Sequence, residues 1–299
     1  MSRSQFAPEA RAAVVFVLPA LTLITLFFIL PVIGGFVLSL TDFDIYSVGN
    51  TANTRFVGAE NYTQLSSNKV FWQALRNTLY FAFVGCPLTI LIALAAALLL
   101  NAKVARFKAL FRTIYFAPVV TTIVAVAVVW RYLYHPRVGL LNRALSVVGI
   151  EAIDWLGDPR WALPAVILMA VWKNFGYSAV IFLAALQNVP EDLYEAARVD
   201  GAGPIRQFWS VTLPSLAPTM IFVTIITAIG YVQLFAEVYV MTPDGGPLNS
   251  TLSIVMLMYR EGFRWWNMGD AAAVAFALFA IVILMSVILM LTRKRWARA

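Results

Sequence analysis

Long apolar runs recur along the chain, and they limit it to folds that place those runs in a membrane. Six runs are long enough to cross roughly 30 Å of hydrocarbon as helices that rise about 1.5 Å per residue. They lie within residues 12–41, 77–102, 113–134, 161–186, 219–241 and 269–292. No segment alternates apolar and polar residues as a membrane β-strand does. We therefore predict an all-α integral membrane protein with six transmembrane helices, forming one domain over residues 1–299.

The composition excludes several other classes of protein. The 299 residues are 61% hydrophobic and 12% charged, whereas soluble domains carry roughly 25% charged residues. A net charge of +7 does not indicate nucleic-acid binding, because the basic residues lie mainly at the ends of apolar runs. The single Cys86 and the single His135 exclude an internal disulfide, a catalytic triad and a cysteine–histidine metal cage.

The distribution of basic residues predicts the orientation. The first run is longer than the roughly 7–15 residues of a signal-peptide core, so we interpret it as a retained span. With the N-terminus inside, twelve Lys and Arg residues fall in cytoplasmic segments and seven in outer ones, and this bias favours cytoplasmic N- and C-termini. The cytoplasmic set is Arg3, Arg11, Lys103, Arg106, Lys108, Arg112, Arg198, Arg206, Arg293, Lys294, Arg295 and Arg298.

The most informative cytoplasmic segment joins the fourth and fifth spans, at residues 187–218. Pro190 suits the start of a helix, and the acidic residues after it suit the positive helix end. Gly201 suits a left-handed stop, so residues 190–200 predict a helix of about three turns. From these features alone, the helix is either a docking element for a soluble motor or an amphipathic connector at the membrane surface.

Polar residues inside the predicted spans are the candidates for substrate contact, because such residues usually face a cavity or a partner. Gln233 and Glu237 are predicted to lie one turn apart on the fifth helix, where Glu237 can also pair with Lys173, Arg76 or a partner chain. Inter-helix hydrogen bonding is the alternative role. The fourth helix is expected to be interrupted at Lys173 and Asn174. The full candidate set is Gln233, Glu237, Tyr231, Asn174 and Tyr177.

The cytoplasmic segment also resembles a known sequence pattern. Residues 195–201 read EAARVDG, and nine residues later residues 211–214 read VTLP. This is similar to the EAA loop of bacterial ABC importer permeases, EAA-x-x-x-G-x(9)-I-x-L-P, with Val211 in place of isoleucine. Further stretches resemble the maltose- and lactose-type carbohydrate branch of that family. They are FVGAENY at 56–62, NT at 77–78, WKNFGY at 172–177, LQNVP at 186–190, FAEVYVMT at 235–242 and GGP at 245–247.

The resemblance implies a type I ABC importer permease fold and a set of partners. Two permeases, usually a heterodimer, would form the pathway with two ATPase subunits and an extracytoplasmic sugar-binding protein, in the bacterial inner membrane and in contact with lipid. The coupling residues it implies are Glu195, Ala196, Ala197, Asp200 and Gly201. It implies that Glu195 pairs with a basic group on the ATPase, and that polar residues of the fifth helix line a sugar path.

No GxxxxGK[ST] sequence is present, so this chain is not expected to be an enzyme or to bind a cofactor itself; ATP and Mg²⁺ would bind the partner ATPase. An importer of a phosphorylated polyol such as glycerol phosphate stays open as an alternative. An ion-coupled secondary transporter is less consistent with the sequence, which has at most one mid-helix acid and no inverted repeat. A membrane enzyme would require a cluster of ionisable residues that the sequence lacks.

Overall fold

The computed structural model describes residues 6–102 and 107–296. Arg3, Lys103, Arg106 and Arg298, which contribute to the charge argument, lie outside the described residues. The described part of the chain is helical apart from turns and one isolated bridge between Thr41 and Phe56. Its α-helices are α1 (Phe6–Ile24), α2 (Leu30–Leu38), α3 (Ile45–Gly49), α4 (Glu60–Ser67), α5 (Lys69–Asn101), α6 (Lys108–Val120), α7 (Ile123–Leu133), α8 (Leu140–Val147), α9 (Pro159–Gln187), α10 (Glu191–Val199), α11 (Pro204–Gln207), α12 (Leu213–Val232), α13 (Ala236–Met241), α14 (Ile254–Tyr259) and α15 (Met268–Trp296).

Five continuous helical segments are long and apolar enough to cross a membrane: Ala13–Leu38, Lys69–Asn101, Pro159–Gln187, Pro204–Val232 and Met268–Leu291. Helices α6 and α7 are together long and apolar enough for a sixth span, but they meet at an angle of 100°. They would therefore cross as one broken span. The expectation of a single third helix over residues 113–134 is therefore wrong. Pro118 lies in the last turn of α6, where it weakens the helical hydrogen-bond ladder.

The chain forms two compact units. In the unit that contains residues 6–67 and 258–277, the side-chain amide of Asn61 donates to the carbonyls of Ser39 (2.9 Å) and Thr41 (2.8 Å). The hydroxyls of Ser39 and Tyr62 are 2.7 Å apart. Asn61 and Tyr62 end the FVGAENY stretch, so that stretch fixes the turn that follows α2. Helices α1 and α2 expose nearly all their described side chains, as a lipid-facing segment does.

The other unit contains residues 68–102, 107–257 and 278–296. It is a helix bundle centred on α5 and α9, with α6 and α12 packed against them. Asn68 caps the start of α5 and Asp158 caps the start of α9 through side-chain bonds to backbone amides. Small buried residues such as Ala74, Ala93 and Ala170 allow the helix backbones to approach closely, which is how membrane helices gain packing energy.

Helix α9 is continuous, so the expected interruption at Lys173 and Asn174 is wrong. The side chain of Asn174 donates to the carbonyl of Ala170, one turn earlier in the same helix, at 2.9 Å. The ammonium of Lys173 is satisfied by carbonyls of the neighbouring chain segment. Since both polar groups have partners, neither needs to disturb the helix.

The expected fifth helix over residues 219–241 is broken instead. Helix α12 ends at Val232, Gln233 is its C-cap residue, and α13 starts at Ala236. The Ser253 hydroxyl donates to the carbonyl of Leu234 at 2.6 Å, which satisfies a backbone acceptor within the break. The sequence predicted that Gln233 and Glu237 lie one turn apart on one helix. This prediction is wrong, because the helix break separates them.

Candidate functional site

The first candidate site is α10 and the turn after it. Pro190 is the N-cap residue of α10, and Glu191 and Asp192 occupy its first turn, where acidic side chains are favoured by the helix dipole. Gly201 has φ +76°. Its amide donates to the carbonyl of Arg198 at 3.0 Å, and the amide of Ala202 donates to that of Ala197 at 2.8 Å. These two bonds form a Schellman motif, so the predicted short helix with a left-handed glycine stop is present.

Helix α10 is presented to its surroundings. None of its residues is buried, and Glu195, Ala196, Asp200 and Gly201 are exposed while Ala197 is half-buried. The Glu195 carboxylate is 3.6 Å from the Arg198 guanidinium, an exposed i,i+3 pair of small energetic value. Val199 and Ile205 leave 88% and 79% of their surface exposed. The segment therefore combines exposed charge and exposed apolar surface, which is typical of an interface.

Two side-chain contacts tie this exposed segment to the helix that follows. The Tyr194 hydroxyl lies 3.0 Å from Thr212 Oγ1, in the segment that leads into α12. The side-chain amide of Gln207 donates to the carbonyl of Ala202 at 2.7 Å. The first of these contacts joins α10 to the N-cap residue of α12.

The second candidate site is a polar cluster within the bundle. The Tyr231 hydroxyl of α12 is buried and lies 2.7 Å from Thr89 Oγ1 of α5, and it also interacts with the side chain of Asn174 of α9. A Cβ added to Gly85 would approach within 2.6 Å of the Tyr231 ring, so the ring requires glycine at that position. Thr89 and Gly85 were not among the candidate residues, although a hydroxyl one turn after a glycine in an apolar run is a visible signal.

Lys173 holds the break between α6 and α7. Its ammonium donates to the carbonyls of Pro118 at 3.2 Å and Thr121 at 3.1 Å, and the Thr121 hydroxyl also donates to Pro118 at 2.6 Å. These bonds satisfy carbonyls that a helix end leaves free. Within the described residues, no ion pair joins Glu237 to Lys173 or Arg76, although Lys173 and Glu237 attract each other electrostatically.

The remaining candidates are dispersed. Gln233 is exposed at the end of α12, Glu237 is half-buried in the first turn of α13, and Tyr177 is 48% exposed on α9. The structure thus brings Tyr231 and Asn174 together with Thr89. It does not join Gln233, Glu237 and Tyr177 to this cluster by any hydrogen bond among the described residues.

Comparison with known proteins assigns this arrangement to a class. Residues 89–297 match the family described as the inner membrane component of binding-protein-dependent transport systems. The chain is 38% identical to the lactose transport system permease protein of Rhizobium radiobacter over 91% of this chain and 90% of that protein. It is 34% identical to the trehalose/maltose transport system permease protein of Thermococcus litoralis, over 94% and 92%.

The fold agrees with that relationship. A bacterial ABC transporter involved in the import of the acidic polysaccharide alginate superimposes with a TM-score of 0.81 at 22% identity, covering 97% of this chain and 98% of the other. The chain belongs to the family of binding-protein-dependent transport permeases, and it is an integral membrane permease. The predictions of the family and of an all-α ABC importer permease fold are confirmed.

Proposed function

We propose that this chain is one pore subunit of an ATP-driven sugar importer whose preferred substrates are oligosaccharides. Helix α10 docks onto a separate ATPase. The relatives named for lactose, for trehalose and maltose, and for arabinooligosaccharides support the substrate class. The full complex contains a second, non-identical permease, two ATPase subunits and an extracytoplasmic binding protein. ATP and Mg²⁺ bind the ATPase subunits, where hydrolysis takes place.

The proposed topology keeps both termini in the cytoplasm and has six spans, at residues 12–41, 77–102, 113–134, 161–186, 219–241 and 269–292, of which the third and the fifth are broken helices. Residues 187–218 form the cytoplasmic coupling loop, in which Glu195, Ala196, Ala197, Asp200 and Gly201 contact the ATPase. Reporter fusions test this arrangement: fusions after Thr51, Leu145 and Pro247 report outside, and those after Val104, Asp200 and Ala299 report inside. An outside signal at Asp200 would contradict the coupling role.

The single observation that carries the coupling role is the exposed α10, which ends in a Schellman turn and is tied to the start of α12 through Tyr194. Such an element can transmit a displacement from a soluble subunit to a membrane helix. In the substrate path, Tyr231, Asn174, Gln233, Glu237 and Tyr177 are the proposed contacts, with Thr89 orienting Tyr231.

The coupling role is tested by Glu195→Lys, because reversing an exposed charge at a docking surface makes like charges meet. The complex is assembled in nanodiscs, and retention of ATPase subunits and hydrolysis stimulated by the sugar-loaded binding protein are measured. We expect a loss of subunits or of stimulation with normal membrane insertion. Glu151→Lys, on an exposed residue of another segment, is the matched control. Full stimulation and uptake by Glu195→Lys would exclude α10 as the docking element.

The substrate class is tested separately by screening the cognate binding protein against neutral mono- and oligosaccharides and phosphorylated polyols. Tight binding of an oligosaccharide is expected. Selective binding of glycerol phosphate would change the substrate class and leave the coupling role intact.

A further inference from the structure

A cavity of about 380 Å³ lies at the starts of α5 and α9, beneath the loop that joins α13 to α14. Its polar lining comes from Gln73, Arg76, Asn77 and Tyr80 of α5, Arg160 of α9 and Ser250 of the loop, and Leu248 and apolar residues at the start of α9 complete it. The start of α9 is separated from α10 by the 29 residues of α9, about 43 Å of helix. The cavity therefore opens on the face opposite to the coupling helix.

The loop over this cavity has an unusual backbone. Leu248 has φ +53° and Asn249 has φ +57°, a left-handed region that is unfavourable for a leucine. Side chains of α5 hold this conformation: Gln73 donates to the carbonyl of Leu248 at 2.8 Å, and Asn77 donates to those of Asn249 (2.8 Å) and Leu252 (3.0 Å). Strain that the surroundings maintain in this way points to a function for the loop.

A second feature of this loop is the exposure of Leu248. Its side chain is 82% exposed, and Tyr80 beside it is 48% exposed. Aromatic residues and arginine are enriched at the centres of protein–protein interfaces, and here both lie beside an exposed apolar side chain. A small polar ligand such as a free sugar would gain little from an apolar side chain that lines the cavity and is still mostly exposed.

The charged residues of the cavity indicate the sign of the charge on the surface of a partner. Arg160 is already paired, because its guanidinium lies 3.0 Å from the Asp158 carboxylate, and its hydrogen bonds hold the pKa of Asp158 below the usual range. Among the described residues, no carboxylate or hydrogen-bond acceptor pairs with Arg76, and no acidic residue lines the cavity. The uncompensated cation is therefore Arg76.

We propose that Arg76 and Leu248 form a docking site for an acidic surface of the extracytoplasmic binding protein, with Arg76 receiving a carboxylate and Leu248 contacting an apolar patch beside it. This inference rests on the proposed function, which supplies the partner and places this face outside. The preformed loop lowers the entropy lost on docking.

The test measures ATP hydrolysis by the assembled complex in nanodiscs as sugar-loaded binding protein is titrated. The variants are Arg76→Glu and Leu248→Asn; asparagine tolerates the left-handed backbone, so the loop keeps its hydrogen bond from Gln73. We expect the half-maximal concentration of binding protein to rise on the order of tenfold in each variant, with the maximal rate unchanged. Arg137→Glu, on an exposed arginine outside the cavity, should match wild type.

Ionic strength provides a second measurement. The half-maximal concentration should rise with salt for wild type and change less for Arg76→Ala, because salt screens an exposed charge pair. Unchanged half-maximal concentrations in both cavity variants would overturn the proposal. So would a shift in the sugar concentration required at saturating binding protein, since that would make the cavity a sugar site. If no sugar-loaded binding protein stimulates ATP hydrolysis by the wild-type complex, the proposed function itself is refuted.

Discussion

The Tyr194 hydroxyl lies 3.0 Å from Thr212 Oγ1, and this contact joins α10 to the start of α12. In Tyr194→Phe the hydrogen bond is lost, at a cost of about 0.5–1.5 kcal/mol. We expect ATPase subunits to stay bound while stimulated hydrolysis falls by roughly two- to tenfold. Tyr132→Phe, on a tyrosine that is 72% exposed, is the control. If Tyr194→Phe and Thr212→Val have additive effects, the two residues do not act as a pair.

The glycine turn after α10 requires a left-handed residue. Gly201→Val places a β-branched side chain at φ +76°, at a cost on the order of 1–2 kcal/mol. Open space surrounds this position, so the loss comes from backbone strain. We expect ATPase subunits to be lost in co-purification. Gly203→Ala is the matched control, because Gly203 has φ −71° and also faces open space; an equal loss there would refute the strain argument.

The crossing of α9 and α6 depends on Gly176. A Cβ at this position would collide with the carbonyl of Tyr115, so Gly176→Ala must separate the helices. We expect a loss of about 1–3 kcal/mol in stability, measured as a lower melting temperature of the detergent-solubilised chain. Gly230→Ala should not lower it, because no atom lies within 4 Å of a Cβ there. Equal melting temperatures for both variants would exclude the close contact.

The ammonium of Lys173 stabilises the break between α6 and α7. Lys173→Met leaves buried carbonyls at Pro118 and Thr121 with fewer donors, which costs about 1–3 kcal/mol. We expect reduced thermal stability and uptake, with partial rescue by Lys173→Arg. Lys69→Met, on an exposed residue, should leave both quantities unchanged. If Lys173→Met is fully stable and active, the break between α6 and α7 does not require the Lys173 ammonium.

Gln233 is exposed where α12 ends. An amide at a helix break can hydrogen bond a sugar hydroxyl, so Gln233→Ala should raise the sugar concentration required for half-maximal uptake several-fold. Uptake is measured in vesicles with saturating binding protein, and assembly is checked by co-purification. Unchanged uptake by an intact complex would assign Gln233 to packing.

The sequence determined the properties that follow from local chemistry. Apolar length fixes a membrane protein, because no soluble fold can cover so many apolar residues. The short helix α10 and its stop at Gly201 were predictable, since proline, acidic residues and glycine each favour a particular helix position. The family followed from a fixed spacing of residues between Glu195 and Pro214.

The tertiary structure alone decided where polar groups in the spans find partners. The sequence predicted that Lys173 and Asn174 interrupt the fourth helix. Helix α9 continues through them, because the carbonyls of Pro118, Thr121 and Ala170 accept their hydrogen bonds. The sequence predicted one helix over the apolar stretch of α12 and α13. The helix breaks after Val232, and the Ser253 hydroxyl donates to the carbonyl of Leu234 within the break. The contacts of Lys173 and Ser253 join residues 19 or more positions apart, and local propensity contains no information about such contacts.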